Sequence, residues 1–193
     1  MDNFAINIAF AVNNAIAFAF ADIYWWSPSK QKSERFWPGK LVAAMGKRAS
    51  ELNLDTRKSK KAPRNGELLY DIGFLETNDP KHRDRLDHPR QKSSHKRVVV
   101  ALRSEWNPNP DEILHNFRKL LVANSALRVF VFCARASETC NIVLNRIAAA
   151  INDFRDDSHD DVYVICAINA QKSYFTLLDS TGSIHPIFDR DNK

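Results

Sequence analysis

The 193-residue chain is 44% hydrophobic and 26% charged, a balance that builds one folded domain with a substantial core and excludes a disordered or fibrous chain. Its net charge of +5 favours an anionic partner without naming one. The three cysteines, Cys133, Cys140 and Cys166, lie in apolar segments without zinc-ligand spacing, which excludes a disulfide framework or zinc finger and suits reduced thiols in the cytoplasm.

The chain opens on FAINIAFAVNNAIAFAFADIYWW, long and almost uncharged. Asn7, Asn13, Asn14 and Asp22 interrupt it, and each is costly in hydrocarbon. We read it as a buried helix over about 3–23, not as a membrane span or leader, and as a candidate homodimer surface. After the polar connector 27–40, a second helix is expected over 38–52, with Leu41, Met45, Ala49 and Leu52 on one face.

DTRKSKKAPRNG, from 55, is a basic, breaker-rich loop, and GELLYDIGFLE, 66–76, alternates as a strand does. The stretch 78–97 has one apolar residue, Leu86, and reads as a surface loop. VVVALRSEW, 98–106, is an apolar β-branched strand that ends in charge. Asn109, Pro110 and Glu112 mark a helix start, and Ile113, Leu114, Phe117, Leu120 and Leu121 repeat at helical spacing through 123. RVFVFCA, 128–134, is a buried strand. Ser137 is the expected cap of a helix that runs to about 155. DVYVICAIN, 161–169, and KSYFTLLDSTG, 172–182, form strands joined at Asn169 to Gln171.

The order α-α-β-β-α-β-α-β-β implies a single α/β domain with a mixed central sheet flanked by helices. Its parts are N-terminal helices over 1–54, basic loops at 55–65 and 77–97, and a core over 66–182. Right-handed crossovers are expected between 98 and 169.

Familiar site signatures are absent. The five glycines form no phosphate loop or dinucleotide fingerprint, and the six histidines lack metal-ligand spacing. The acids say more. Asp71 interrupts an apolar strand, where a carboxylate needs a partner or a cation. Glu105 ends the next strand, and Lys119 lies in the helix after it. Should the two strands be neighbours, Asp71 and Glu105 converge at one sheet end. There they suit a Mg²⁺ ion, with Lys119 assisting the attacking water. The alternative reading pairs Asp71 with Arg103 as a structural salt bridge.

RKSKKAPR supplies Arg57, Lys58, Lys60, Lys61 and Arg64, and the 78–97 stretch supplies Arg83, Arg85, Lys96 and Arg97 among others. Basic clusters of this kind track phosphates, so nucleic acid is the expected partner, and no membrane is.

The strand with Asp71, the strand ending in Glu105, and the helix and strand that follow resemble the PD-(D/E)XK nuclease superfamily. More narrowly, Tyr70-Asp71, Ser104-Glu105-Trp106 and the helix residues Phe117, Lys119, Leu120 and Leu121 resemble a poorly characterised bacterial group of that superfamily. The likeness spans roughly residues 34–135. It implies a restriction-endonuclease-like core and Mg²⁺-dependent phosphodiester hydrolysis. Asp71 and Glu105 are then the metal ligands, and Asp71, Glu105 and Lys119 the catalytic set. Two positions depart from the pattern. Arg103 stands where the group has glutamate, and Asn116 where it has aspartate. An arginine there repels a metal ion, so hydrolysis is weakened or lost. The alternative is a non-catalytic module on the same fold that binds nucleic acid or a regulatory protein partner.

Overall fold

Apolar residues four apart give the first described element its shape. Leu41, Met45 and Ala49 line the inner face of helix α1, Phe36–Glu51, and are fully buried. The structure, a computed structural model, describes residues 36–52, 54–58, 71–75, 98–154, 162–168 and 172–191. The expected N-terminal helix, most of both basic loops and the 169–171 turn lie outside the described residues.

Beyond α1 come β1 (Asp55–Lys58), β2 (Ile72–Leu75), β3 (Val98–Glu105), α2 (Pro110–Leu121), β4 (Ser125–Cys133), α3 (Ser137–Asp153), β5 (Val162–Ile168), β6 (Lys172–Leu178) and β7 (Ile184–Asp191). The seven strands form one sheet in the order of their sequence. β1, β2 and β3 run antiparallel, β3, β4 and β5 run parallel, and β6 and β7 return antiparallel. The mixed α/β sheet expected from the sequence is therefore present, and it extends past the expected 66–182 core at both ends.

Two strands depart from the sequence reading. Residues 55–58, taken for loop, form β1, and residues 184–191 form β7. Each is an edge strand, where half the backbone positions need no sheet partner and the side chains need not be apolar. Two boundaries also move. α1 begins at Phe36, ahead of Pro38, which sits in the first turn where its missing N–H costs nothing. α3 begins at Ser137, so the cap position falls on Ala136, which has no side-chain cap. Asn109 caps α2 as expected: its Oδ1 accepts from the Asp111 amide at 2.9 Å, with Pro110 at the first position.

The core lies in two layers. On one face α1 covers Ile72, Phe74, Val100 and Leu102, in a cluster that continues through Val129, Val131 and Val164. On the other, α2 and α3 cover Phe130, Phe132, Tyr163 and Ile165. Phe117 of α2 is fully buried there, edge-on to Phe130 at 5.4 Å and tilted to Tyr163 at 6.1 Å. Arg128 enters the same layer; its Nε donates to the Ala123 carbonyl at 3.0 Å and its guanidinium lies 5.3 Å from the Tyr163 ring centre.

Gly182, between β6 and β7, has φ +74°, and a Cβ there would lie 2.6 Å from the Ala148 carbonyl oxygen of α3. Only glycine meets both demands. The three cysteines are free and buried, and burial pushes the Cys133 thiol up to about 11. Among the described residues no helix is long and apolar enough to cross a membrane.

Candidate functional site

β2 and β3 pair antiparallel with Ile72 opposite Leu102, so the residue before β2 meets the last residues of β3. Asp71 is that residue. Its amide donates to the Leu102 carbonyl at 2.8 Å, fastening the start of β2 to β3. Its Oδ2 accepts from the Ser104 amide at 2.7 Å and from the Ser104 hydroxyl at 2.9 Å. The Trp106 indole N–H in turn donates to the Ser104 Oγ at 3.3 Å. A half-buried carboxylate is thus held by a backbone and a hydroxyl donor on the strand beside it.

The next two positions of the alternation belong to another group. Arg103 and Glu105 share the strand face opposite Ser104, toward α2. Arg103 is 9% exposed, and its Nε and Nη2 donate to the Asn116 Oδ1 at 3.1 and 2.6 Å. The Asn116 amide nitrogen donates to Glu105 Oε2 and, at 3.1 Å, to the Glu112 carbonyl. Glu105 Oε1 accepts from the Asn107 amide at 2.7 Å. Asn116 therefore joins the guanidinium to the carboxylate with one side chain, its oxygen facing the cation and its nitrogen the anion.

Of the residues expected at a site, the sheet brings Asp71 and Glu105 to one end, as foreseen, but on successive positions of the pleat. Asp71 is tied to Ser104, and Glu105 to Asn116. The proposed Asp71–Arg103 salt bridge gives way to bonds with Ser104 and Asn116. Lys119 is partly buried on α2, three residues beyond Asn116 on the same side of the helix. Asn116 itself was recognisable only as a departure from a family pattern. The better signal is its place between Ile113 and Phe117 on the apolar face of α2, where a polar side chain requires partners.

The donor set does not fit a divalent metal. The carboxylate oxygens of Glu105 and Oδ2 of Asp71 already accept N–H or O–H bonds, and a guanidinium lies in the network. Among the described residues no three His, Cys, Asp or Glu groups are placed to hold one ion.

Burial raises the pKa of Glu105 above its ordinary 4.5, against the lowering pull of the Asn107 and Trp106 amides; Glu112 adds to the rise and Arg103 opposes it. The sign follows by linkage. A carboxyl whose pKa is raised by folding stabilises the fold below the unfolded value and loses that contribution as pH rises through the folded value. Wild type is expected to lose stability relative to Glu105→Gln as pH climbs from 4.5 through the weakly acid range. Thermal melts of both proteins at stepped pH measure this, and parallel curves would refute it.

The segments that bracket the basic stretches stand apart. Lys58 and Asp71 flank the first, at the end of the sheet that carries Arg103 and Glu105. Leu75 and Val98 flank the second, at the opposite end. Arg57 and Lys58 belong to β1, while Lys60, Lys61, Arg64, Arg83, Arg85, Lys96 and Arg97 lie outside the described residues. The chain matches no protein-family model and no curated protein sequence.

Proposed function

We propose that this chain is a nucleic-acid-binding protein on a PD-(D/E)XK-type scaffold in which metal-dependent hydrolysis has been lost. One observation carries the reading. The two positions that depart from the resembled pattern, Arg103 and Asn116, are bonded to each other, and Asn116 is bonded to Glu105. A coupled pair of replacements in contact is the mark of a site converted as a unit. Where the pattern has three acids at 103, 105 and 116, this chain has a cation, an acid and a neutral amide, so the local charge falls from −3 to zero and the attraction for Mg²⁺ with it. The order from α1 to β4, a helix, a three-stranded antiparallel meander, a helix and a parallel strand, is compatible with the restriction-endonuclease-like core.

Binding is assigned to the basic residues that begin with Arg57 and Lys58 on β1. Fluorescence anisotropy with short single- and double-stranded DNA and RNA, across a salt series, tests the reading. Affinity is expected to fall steeply with salt, and charge reversal at Arg57, Lys58, Lys60, Lys61 and Arg64 is expected to flatten that slope. No strand scission is expected with Mg²⁺ or Mn²⁺. A flat salt response removes the binding claim; Asp71-dependent scission removes the claim of lost hydrolysis.

A further inference from the structure

β3 begins the parallel part of the sheet, and in open α/β sheets ligands sit outside the carboxyl ends of the strands. Asp71 and Trp106 stand together at that end, each partly exposed, and one serine holds both. The Ser104 hydroxyl donates to Asp71 Oδ2 at 2.9 Å and accepts from the Trp106 indole N–H at 3.3 Å. Trp106 also packs against the core cluster under α1, so the ring is held in place while part of it reaches the surface. Asp71 is engaged through one oxygen. Oδ2 takes both Ser104 bonds, and Oδ1 accepts none from the described residues. A fixed aromatic surface beside an open, acceptor-only oxygen suits a flat ring that carries an N–H donor. Lys58, opposite Ile72, closes β1 at the same end of the sheet, so the first basic stretch leaves from this place and returns to it.

We propose that Asp71 and Trp106 form a subsite for one unpaired nucleobase that carries an exocyclic amine. The base packs on the exposed part of Trp106 and donates its amine N–H to Asp71 Oδ1. Among the pyrimidines cytosine fits, because its N4 amine is the group a carboxylate accepts from. Thymine presents O4 at the same place, and two acceptors facing one another repel. A base inside a duplex is stacked on both faces, so contact with the ring requires a single strand. The proposal rests on the nucleic-acid-binding reading and adds to it a strand form and a base preference.

The experiment titrates the full chain with labelled oligo(dC) and oligo(dT) of equal length, at neutral pH and fixed salt. Wild type is expected to bind oligo(dC) about fivefold more tightly. In Asp71→Asn the amide oxygen still accepts from Ser104 while its N–H₂ faces the subsite, so the preference is expected to vanish or reverse. Removing a negative charge tightens both oligonucleotides alike, so the ratio of the two affinities is the readout. Trp106→Ala is expected to weaken both by about fivefold or more. Should that variant not fold, Trp106→Leu fills the core side without an aromatic face and is expected to weaken binding in the same way, while Trp106→Phe is expected to keep most of it. Equal affinity of wild type for the two oligonucleotides, or a preference that Asp71→Asn leaves intact, overturns the subsite and spares the nucleic-acid-binding reading. Absence of binding to either, at low salt, overturns both.

Discussion

Asn116→Ala is expected to destabilise the protein by about 3 kcal/mol and lower its melting temperature by roughly 6–12 °C. The side chain is 8% exposed and makes four bonds, two from Arg103 and one each to Glu105 and Glu112. Alanine removes all four at once. It takes two acceptor contacts from a buried guanidinium and a donor from a half-buried carboxylate, and such losses cost more than the bonds contribute net when intact. Asn116→Asp separates the two halves of the role. Aspartate keeps the acceptor for Arg103 but faces Glu105 with a second carboxylate. Its loss should be smaller in acid and grow as pH rises and both acids ionise. A melting temperature for Asn116→Ala within one degree of wild type would show that the network contributes nothing.

Phe117→Ala, one residue along, is expected to cost about 3–5 kcal/mol, a value set by the cavity and not by polar groups. Phe117 is fully buried and sits between Phe130 of β4 and Tyr163 of β5, so it fastens α2 across two parallel strands. Phe117→Leu refills much of the space and should cost markedly less. Urea unfolding curves measure both. A loss below about 1 kcal/mol for the alanine variant would mean that α2 repacks over the gap. The two neighbours test different forces: the Asn116 variants should respond to pH, and the Phe117 variants should not.

The parts of the fold that announce themselves in the sequence are those whose side chains must be apolar. The buried strands at 98–105, 128–133 and 162–168 and the stripes on α1, α2 and α3 were legible because burial dictates residue type. β1 and β7 were not, because an edge strand of DTRK or IHPIFDRD is defined by backbone pairing that leaves little trace in side-chain chemistry. The site divides in the same way. Asp71 and Glu105 stand out as acids in apolar surroundings, and their arrival at one sheet end follows from strand order. Which face each uses depends on register, and one position of the pleat separates Ser104 from Glu105. Asn116 hid because an amide in an apolar stripe shows its purpose only when its partners are placed around it.

The two outer strands bear on how copies of the protein can meet. β1 is four residues long and ends in Arg57 and Lys58; β7 carries Pro186, which has no N–H to offer, and closes on Asp189, Arg190 and Asp191. Short length, proline and charge are the features by which sheet borders resist templating another strand. The sheet is therefore guarded against end-to-end growth and amyloid-like stacking on both sides. At the described edges of the sheet, a second copy is therefore not expected to add a strand through backbone hydrogen bonds.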